Sequence, residues 1–195
     1  MKKLLVTGFD PFGGETVNPS WEAVKLLPER IGECSLTKLQ IPTEFCRASG
    51  AVLAAAKEVK PDAILCVGQA GGRAGVTPEV VGINLREARI PDNAGFRPVN
   101  EPVVNGGPAA YFATLPVRQM VDALRKAGLP ASLSYSAGAF VCNDVLYTVL
   151  HNCRGTEIKA GFIHVPFLPE QAKEGVASMP LEKITQALKI AIEQL

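Results

Sequence analysis

The chain has 195 residues, of which 47% are hydrophobic and 20% charged, and a formal net charge of +1. These are the figures of one globular domain spanning residues 1–195, and the even spread of lysine and arginine excludes the basic patch of a nucleic-acid or anionic-membrane binder. Five cysteines, an odd number with no CxxC pair, and two histidines outside any His/Cys cluster exclude a secreted disulfide framework and a zinc cage; no metal or cofactor is expected, and a reducing cytoplasm is the expected compartment.

In chain order, Lys3 to Thr7 reads as a strand; its apolar run stops at Gly8-Phe9-Asp10, too soon for a signal peptide or a membrane span. A short helix is expected from Trp21 to Leu27, a strand from Ser35 to Ile41 and an Ala-rich helix from Glu44 to Lys60. Ala63 to Val67 is a continuous apolar run between Pro61-Asp62 and Gly68, as a strand buried on both faces should be. Val80 to Leu85 and Ala131 to Tyr135 are strand candidates, separated by a helix from Leu115 to Ala127. A helix from Val141 to Cys153, a strand from Lys159 to Val165 and a last helix from Leu181 to Leu195 after Pro180 complete the pattern. Strands alternating with helices predict an α/β fold: a three-layer α/β/α sandwich around a largely parallel, mixed, twisted sheet. Gly68 to Pro78 and Arg89 to Pro108 are rich in Gly and Pro and read as ordered loops with functional content.

The glycines after the first strand and after Val67 form neither GxGxxG nor a Walker sequence, so dinucleotide or phosphate binding is not supported. The most informative stretch is Ser136-Ala137-Gly138-Ala139-Phe140-Val141-Cys142-Asn143. It places Cys142 in the first turn of a helix, where unpaired N–H groups and the dipole favour the nucleophilic thiolate. A cysteine hydrolase needs a base, and only His151 and His164 exist. His151 follows Cys142 by nine residues on one helix, ~13.5 Å along the axis and about half a turn out of phase, so it cannot reach the sulfur. His164 lies near the end of an apolar strand that Pro166 terminates, at the sheet edge where α/β proteins gather their ligands. The acid that would orient it is best sought at Glu79, with Asp92, Asp144 and Glu87 as rivals. Phe9 and Phe12, in the first Gly/Pro loop, are either core plugs or an apolar substrate wall.

Val6-Thr7-Gly8-Phe9-Asp10-Pro11-Phe12-Gly13-Gly14 with Asn18-Pro19-Ser20-Trp21 resembles the opening of the pyroglutamyl peptidase I family of cysteine peptidases. The resemblance continues through Gly68-Gln69-Ala70-Gly71-Gly72-Arg73, Thr77-Pro78-Glu79, Ala88 to Asn93, Gly107 to Tyr111, Val141-Cys142-Asn143 and Gly161 to His164. It implies an enzyme that removes N-terminal pyroglutamate from peptides with a Glu79, Cys142, His164 triad and no cofactor, assembled as a homotetramer. The backbone N–H of Cys142 is one candidate donor to the oxyanion, and Arg89, which the resemblance places near the site, is another. Phe9, Phe12, Thr43, Phe140 and Val141 would wall the lactam pocket, and Asn18 and Gln69 would make polar contacts. Two positions depart from the family pattern: Val80 stands where an Arg usually follows the Glu, and Ala139 where a Thr usually precedes the aromatic of the nucleophile turn. The competing expectations are a catalytically silent binder on the same scaffold and a transferase resembling nucleoside phosphorylases, which would want a phosphate site.

Overall fold

Four strands run parallel through the centre of the molecule: β1 (Lys2–Phe9), β3 (Cys34–Ile41), β4 (Ala63–Gln69) and β8 (Lys159–Val165). Two-residue antiparallel strands, β2 (Arg30–Ile31) beside β3 and β5 (Thr77–Pro78) beside β8, extend them into a six-stranded sheet in the order β2-β3-β1-β4-β8-β5. The computed structural model describes residues 1–195. A separate antiparallel pair is made by β6 (Val81–Ile83) and β7 (Ala110–Phe112).

The parallel strands carry apolar residues on both faces because helices cover both. Leu4, Val6, Leu65, Val67, Ile163 and Val165 pack against α1 (Pro19–Leu26), α3 (Val117–Lys126) and α5 (Leu181–Ile192). Their strand neighbours Leu5, Phe9, Ile64, Cys66, Ala160 and Phe162 pack against α2 (Arg47–Val59) and α4 (Val141–Cys153). Two cores on one sheet are the three-layer arrangement the strand–helix alternation predicts. No helix is long and apolar enough to cross a membrane.

Most element boundaries follow local chemistry. Asn18 caps α1 by accepting from the Ser20 N–H at 3.1 Å, with Pro19 opening the helix. Three expectations need correction. The helix expected from Glu44 begins at Arg47, because tertiary bonds capture the preceding backbone: Phe45 N–H donates to Asp92 Oδ2 (2.9 Å) and Cys46 N–H to Asp144 Oδ2 (3.2 Å). The strand expected over Val80 to Leu85 shrinks to β6 and leaves the main sheet.

The third is Ala131 to Tyr135, which forms only isolated bridges, Val76 with Ala131 and Glu79 with Ser134. Its bonding shows why. Val76 N–H donates to Pro130 O, Ser132 N–H to Val76 O, Ser134 N–H to Pro78 O and Val80 N–H to Ser134 O, at 2.7–3.2 Å. This is a parallel ladder missing one rung, the one Pro78 would have to donate, and proline has no N–H.

The start of α4 is fastened by its two residues after Cys142. Asn143, fully buried, accepts from Ile83 N–H (2.9 Å) and donates to Ile83 O (2.9 Å) and Leu85 O (3.0 Å), completing the backbone bonding of the β6 segment with a side chain. Asp144, also fully buried, pairs with Arg86 Nε at 2.6 Å and accepts from Ser49 Oγ at 3.1 Å. Replacing Asp144 by Ala removes one partner of a buried pair and leaves the Arg86 guanidinium uncompensated. We expect the Asp144→Ala protein to lose about 3–5 kcal/mol of stability in urea unfolding; a loss below ~1 kcal/mol would mean that α4 is held by its apolar face alone.

Candidate active site

The register between β5 and β8 brings the site together. Thr77 pairs with His164, and Glu79, just past the end of β5, donates its N–H to Phe162 O of β8 at 2.9 Å. The two side chains meet on the α2/α4 side of the sheet, with Glu79 Oε1 2.7 Å from His164 Nδ1. Glu79 is 0% and His164 3% exposed.

A second cation touches the same carboxylate oxygen. Arg73, in the loop after β4, donates from one guanidinium nitrogen to Glu79 Oε1 at 2.8 Å and to Thr77 Oγ1, and from the other to Ser136 O at 3.1 Å. Burial alone would raise the Glu79 pKa; the bonds and charges of His164 and Arg73 outweigh it, with a contribution from the nearby Ser134 hydroxyl, and hold the carboxyl below its ordinary value. That hydroxyl donates to Ser136 O (3.2 Å), so Glu79 Oε2 keeps no partner. Burial pushes the His164 pKa down, against the pull of Glu79 upward, and Arg73 adds to the lowering. The pair is therefore an ionised carboxylate accepting from a neutral imidazole whose N–H is on Nδ1, leaving Nε2 as the basic nitrogen.

Cys142 is the second residue of α4. Its sulfur nests against Gly68, the register partner of His164 on β4: a Cβ built on Gly68 would lie 3.0 Å from Cys142 Sγ and 2.7 Å from Phe162 Cζ. The Phe162 ring in turn stands 4.8 Å from the imidazole, centroid to centroid. Gly138, with φ of +75°, gives the preceding turn a left-handed residue. No side chain caps α4, and the Asn143 and Asp144 N–H groups bond Phe140 O, so the N–H groups of Val141 and Cys142 are the open donors of this helix start.

The expected thiolate is not the resting form. Burial, reinforced by the Glu79 charge, pushes the Cys142 thiol up to about 12, against the pull of Arg73 and of its own backbone N–H. The helix start is too weak to offset desolvation, and the sulfur rests as a thiol.

Phe140, two residues before Cys142, belongs to a row of aromatic rings. Phe12 meets Phe140 at 6.2 Å, Phe140 meets Phe45 edge-on at 5.3 Å, and Phe45 meets Phe96 edge-on at 5.9 Å. Phe12 and Phe140 are half-buried. Phe9 and Val141 are buried core residues, Phe9 packing on Phe162 at 6.2 Å. Thr43 is held by Asp10 through its N–H (2.6 Å) and hydroxyl (3.2 Å). The Asn18 amide is taken up within the fold: Oδ1 caps α1, and Nδ2 donates to Asp10 O (2.9 Å). Gln69, half-buried at the end of β4, accepts from Gln171 at 3.3 Å. Arg89 is exposed, next to buried Ala88, and no internal hydrogen bond engages its guanidinium.

The rival acids are occupied elsewhere. Asp92 accepts from Phe45, Ala94 and Phe96 N–H groups, Asp144 pairs with Arg86, and Glu87 accepts from Asn100 N–H. His151 sits toward the far end of α4, bonded to Tyr111 Oη at 2.9 Å and stacked on Tyr147. Sequence reasoning missed Arg73, Phe45 and Phe96 as parts of this neighbourhood. Arg73 lies within the Gly-rich loop from Gly68 to Pro78, but nothing local aims it at Glu79.

The family described as pyroglutamyl peptidase matches residues 2–195. Pyrrolidone-carboxylate peptidase of Bacillus amyloliquefaciens is 52% identical over 194 residues, covering 97% of this chain and 90% of that one. The crystal structure of B. amyloliquefaciens pyroglutamyl peptidase I superposes with a TM-score of 0.96 at 52% identity, covering 100% of this chain and 96% of that one. Pyrrolidone carboxyl peptidase from Thermococcus litoralis gives 0.95 at 38% identity, covering 100% and 93%.

Gly68 is the position where the sheet makes room for sulfur. Gly68→Ala should destabilise the protein by about 1–3 kcal/mol through overpacking, and should lower turnover more than tenfold by displacing Sγ, in keeping with the cost of small misplacements. Normal turnover in the folded variant would show that the sulfur's seat is not critical.

Proposed function

The chain belongs to the pyroglutamyl peptidase family, and on that premise we propose that it is a cysteine peptidase releasing N-terminal pyroglutamate from peptides through Cys142, His164 and Glu79. One observation carries the assignment: the buried Glu79–His164 pair at 2.7 Å lies across from a cysteine sulfur packed on Gly68, the strand partner of that histidine.

His164 Nε2 takes the thiol proton as the Cys142 sulfur attacks the pyroglutamyl carbonyl; Nδ1–H stays on Glu79, which stabilises the imidazolium as it forms. A thiol held near 12 makes this a general-base step rather than attack by a standing thiolate. The oxyanion takes its donors from the Cys142 N–H at the uncapped helix start and from the Arg89 guanidinium. The C–N bond breaks, His164 returns its proton to the leaving amine, and a thioester remains. Water, deprotonated by His164, adds to that thioester; pyroglutamate leaves and Cys142 regains its proton.

Specificity follows from the apolar seat. Phe12 and Phe140 present half-buried faces to a flat, uncharged lactam, with half-buried Gln69 able to meet its polar edge and the buried Phe9, Thr43, Val141 and Asn18 backing the walls from within the core. An unblocked N-terminal Glu would bring an ammonium and a carboxylate into the same slot, and their desolvation opposes its binding. A single catalytic domain, a cytoplasmic setting and assembly as a homotetramer complete the proposal; exposed Phe112 (73%) and Tyr135 (63%) offer apolar surface for contacts between copies.

A pyroglutamyl arylamide tests the reaction. We expect release of the arylamine, abolished by Cys142→Ser and by iodoacetamide; stoichiometric binding of pyroglutamate without release would instead make the protein a silent binder. The pH profile carries its own expectation. Protonating His164 removes the base, and its folded pKa is depressed below 6.5, so activity is full above that value and lost as pH falls through the lower one. An acid limb of kcat/KM centred above pH 6.5 would contradict the assignment of His164 as a buried neutral base.

A further inference from the structure

We propose that Arg73 is a positioning residue for this reaction: its guanidinium restrains the hold of Glu79 on His164 and ties that acid to the turn carrying the nucleophile. The inference rests on the triad reading above and adds a member to it.

The geometry is specific. Glu79 Oε1 serves two donors, His164 Nδ1 at 2.7 Å and Arg73 at 2.8 Å, while Oε2 has none. A carboxylate with no exposed surface and one working oxygen divides its attraction between the two. The same guanidinium reaches Ser136 O at 3.1 Å, at the start of the turn that leads into α4. One planar group thus spans the acid and the approach to the sulfur, a fork that a lysine ammonium cannot reproduce.

The titratable and charged groups facing His164 are few. Glu79 lies beyond β5, Arg73 in the loop after β4, Cys142 on α4, and Cys66 on the same face of β4. Glu79 is the only anion among them, and the imidazole is buried. With Glu79 unopposed, the imidazolium would be favoured, and a base already protonated cannot accept a thiol proton. Arg73 counters this twice, by neutralising Glu79 and by repelling positive charge on the ring; its influence on all three triad groups runs in the same direction. Val80 does not contribute a charge here: its side chain lines an outer cleft with Phe112, Leu115 and Val117. Arg73 is the guanidinium that touches the carboxylate.

The chain has two histidines, so a His151→Ala background leaves His164 as the single imidazole for NMR titration. In that background, Arg73→Gln should move the His164 titration to higher pH, shift the acid limb of kcat/KM with it, and reduce kcat several-fold. Arg73→Lys keeps the charge and loses the fork, so it should restore the parental titration while kcat stays reduced. A folded Arg73→Gln protein with an unmoved or lowered His164 titration would overturn the proposal. So would an Arg73→Lys protein with parental kcat, or one whose titration is raised; these outcomes decide the matter even if Arg73→Gln fails to fold. The NMR titration needs no turnover, so a protein that shifts as expected but never cleaves the arylamide would refute the peptidase reading, and with it the role in turnover, while upholding the hold of Arg73 on the Glu79–His164 pair.

Discussion

A carboxylate with no exposed surface must be surrounded by charge and hydrogen bonds or be neutralised, and the residues around Glu79 are arranged under that constraint. Its backbone is clamped on both sides, its own N–H to β8 and the next N–H to Ser134. Its side chain then has only two cationic or proton-donating partners, Arg73 and His164, and both converge on one oxygen. The arrangement fixes the tautomer of His164, aims its free nitrogen to the α4 side of the sheet, and couples the outermost strand of the sheet to the Gly-rich loop.

The proposed nucleophile is positioned by a different kind of contact. Cys142 forms no cross-link, and its sulfur is located by exclusion, in the space Gly68 leaves on β4. What keeps the helix start in register with that space is the pair of residues that follow. Asn143 acts as a surrogate peptide group for Ile83 and Leu85, and Asp144 joins Arg86, Ser49 and the Cys46 N–H. Three consecutive residues thus divide the labour: the sulfur of the proposed chemistry, and one amide and one carboxylate for placement.

The parallel centre of the sheet was legible because buried strands such as Ala63 to Val67 declare themselves by composition, and the helix over Val141 to Cys153 by its period. The separation of Cys142 from His151 was legible for the same reason, since helical phase is a local property. Glu79 could not be told from Asp92, Asp144 or Glu87 by spacing, because what distinguishes it is the pairing of β5 with β8 across more than eighty positions of chain. Arg73 was invisible on similar grounds: a loop side chain declares its target only when the loop is folded. The start of α2 was displaced by Asp92 and Asp144, two carboxylates remote in the chain that take hydrogen bonds no local rule assigns. The Ala131 to Tyr135 segment shows the opposite case, where the strand tendency was real and one proline on the neighbouring segment interrupted the ladder.

That interruption also bears on how the molecule behaves among its own kind. A sheet border with regularly spaced free amides and carbonyls is a template on which another polypeptide can add itself, the first step toward fibrils. Here one border is the two-residue β2, and the other is a segment joined to its neighbour on both sides of a missing rung. β2, however, pairs only with Cys34 and Ser35 of the eight-residue β3, so the rest of that strand keeps an open row, whereas the segment beside β5 makes only bridges. A newcomer would therefore find its longest free row along β3, at the border away from the interrupted ladder.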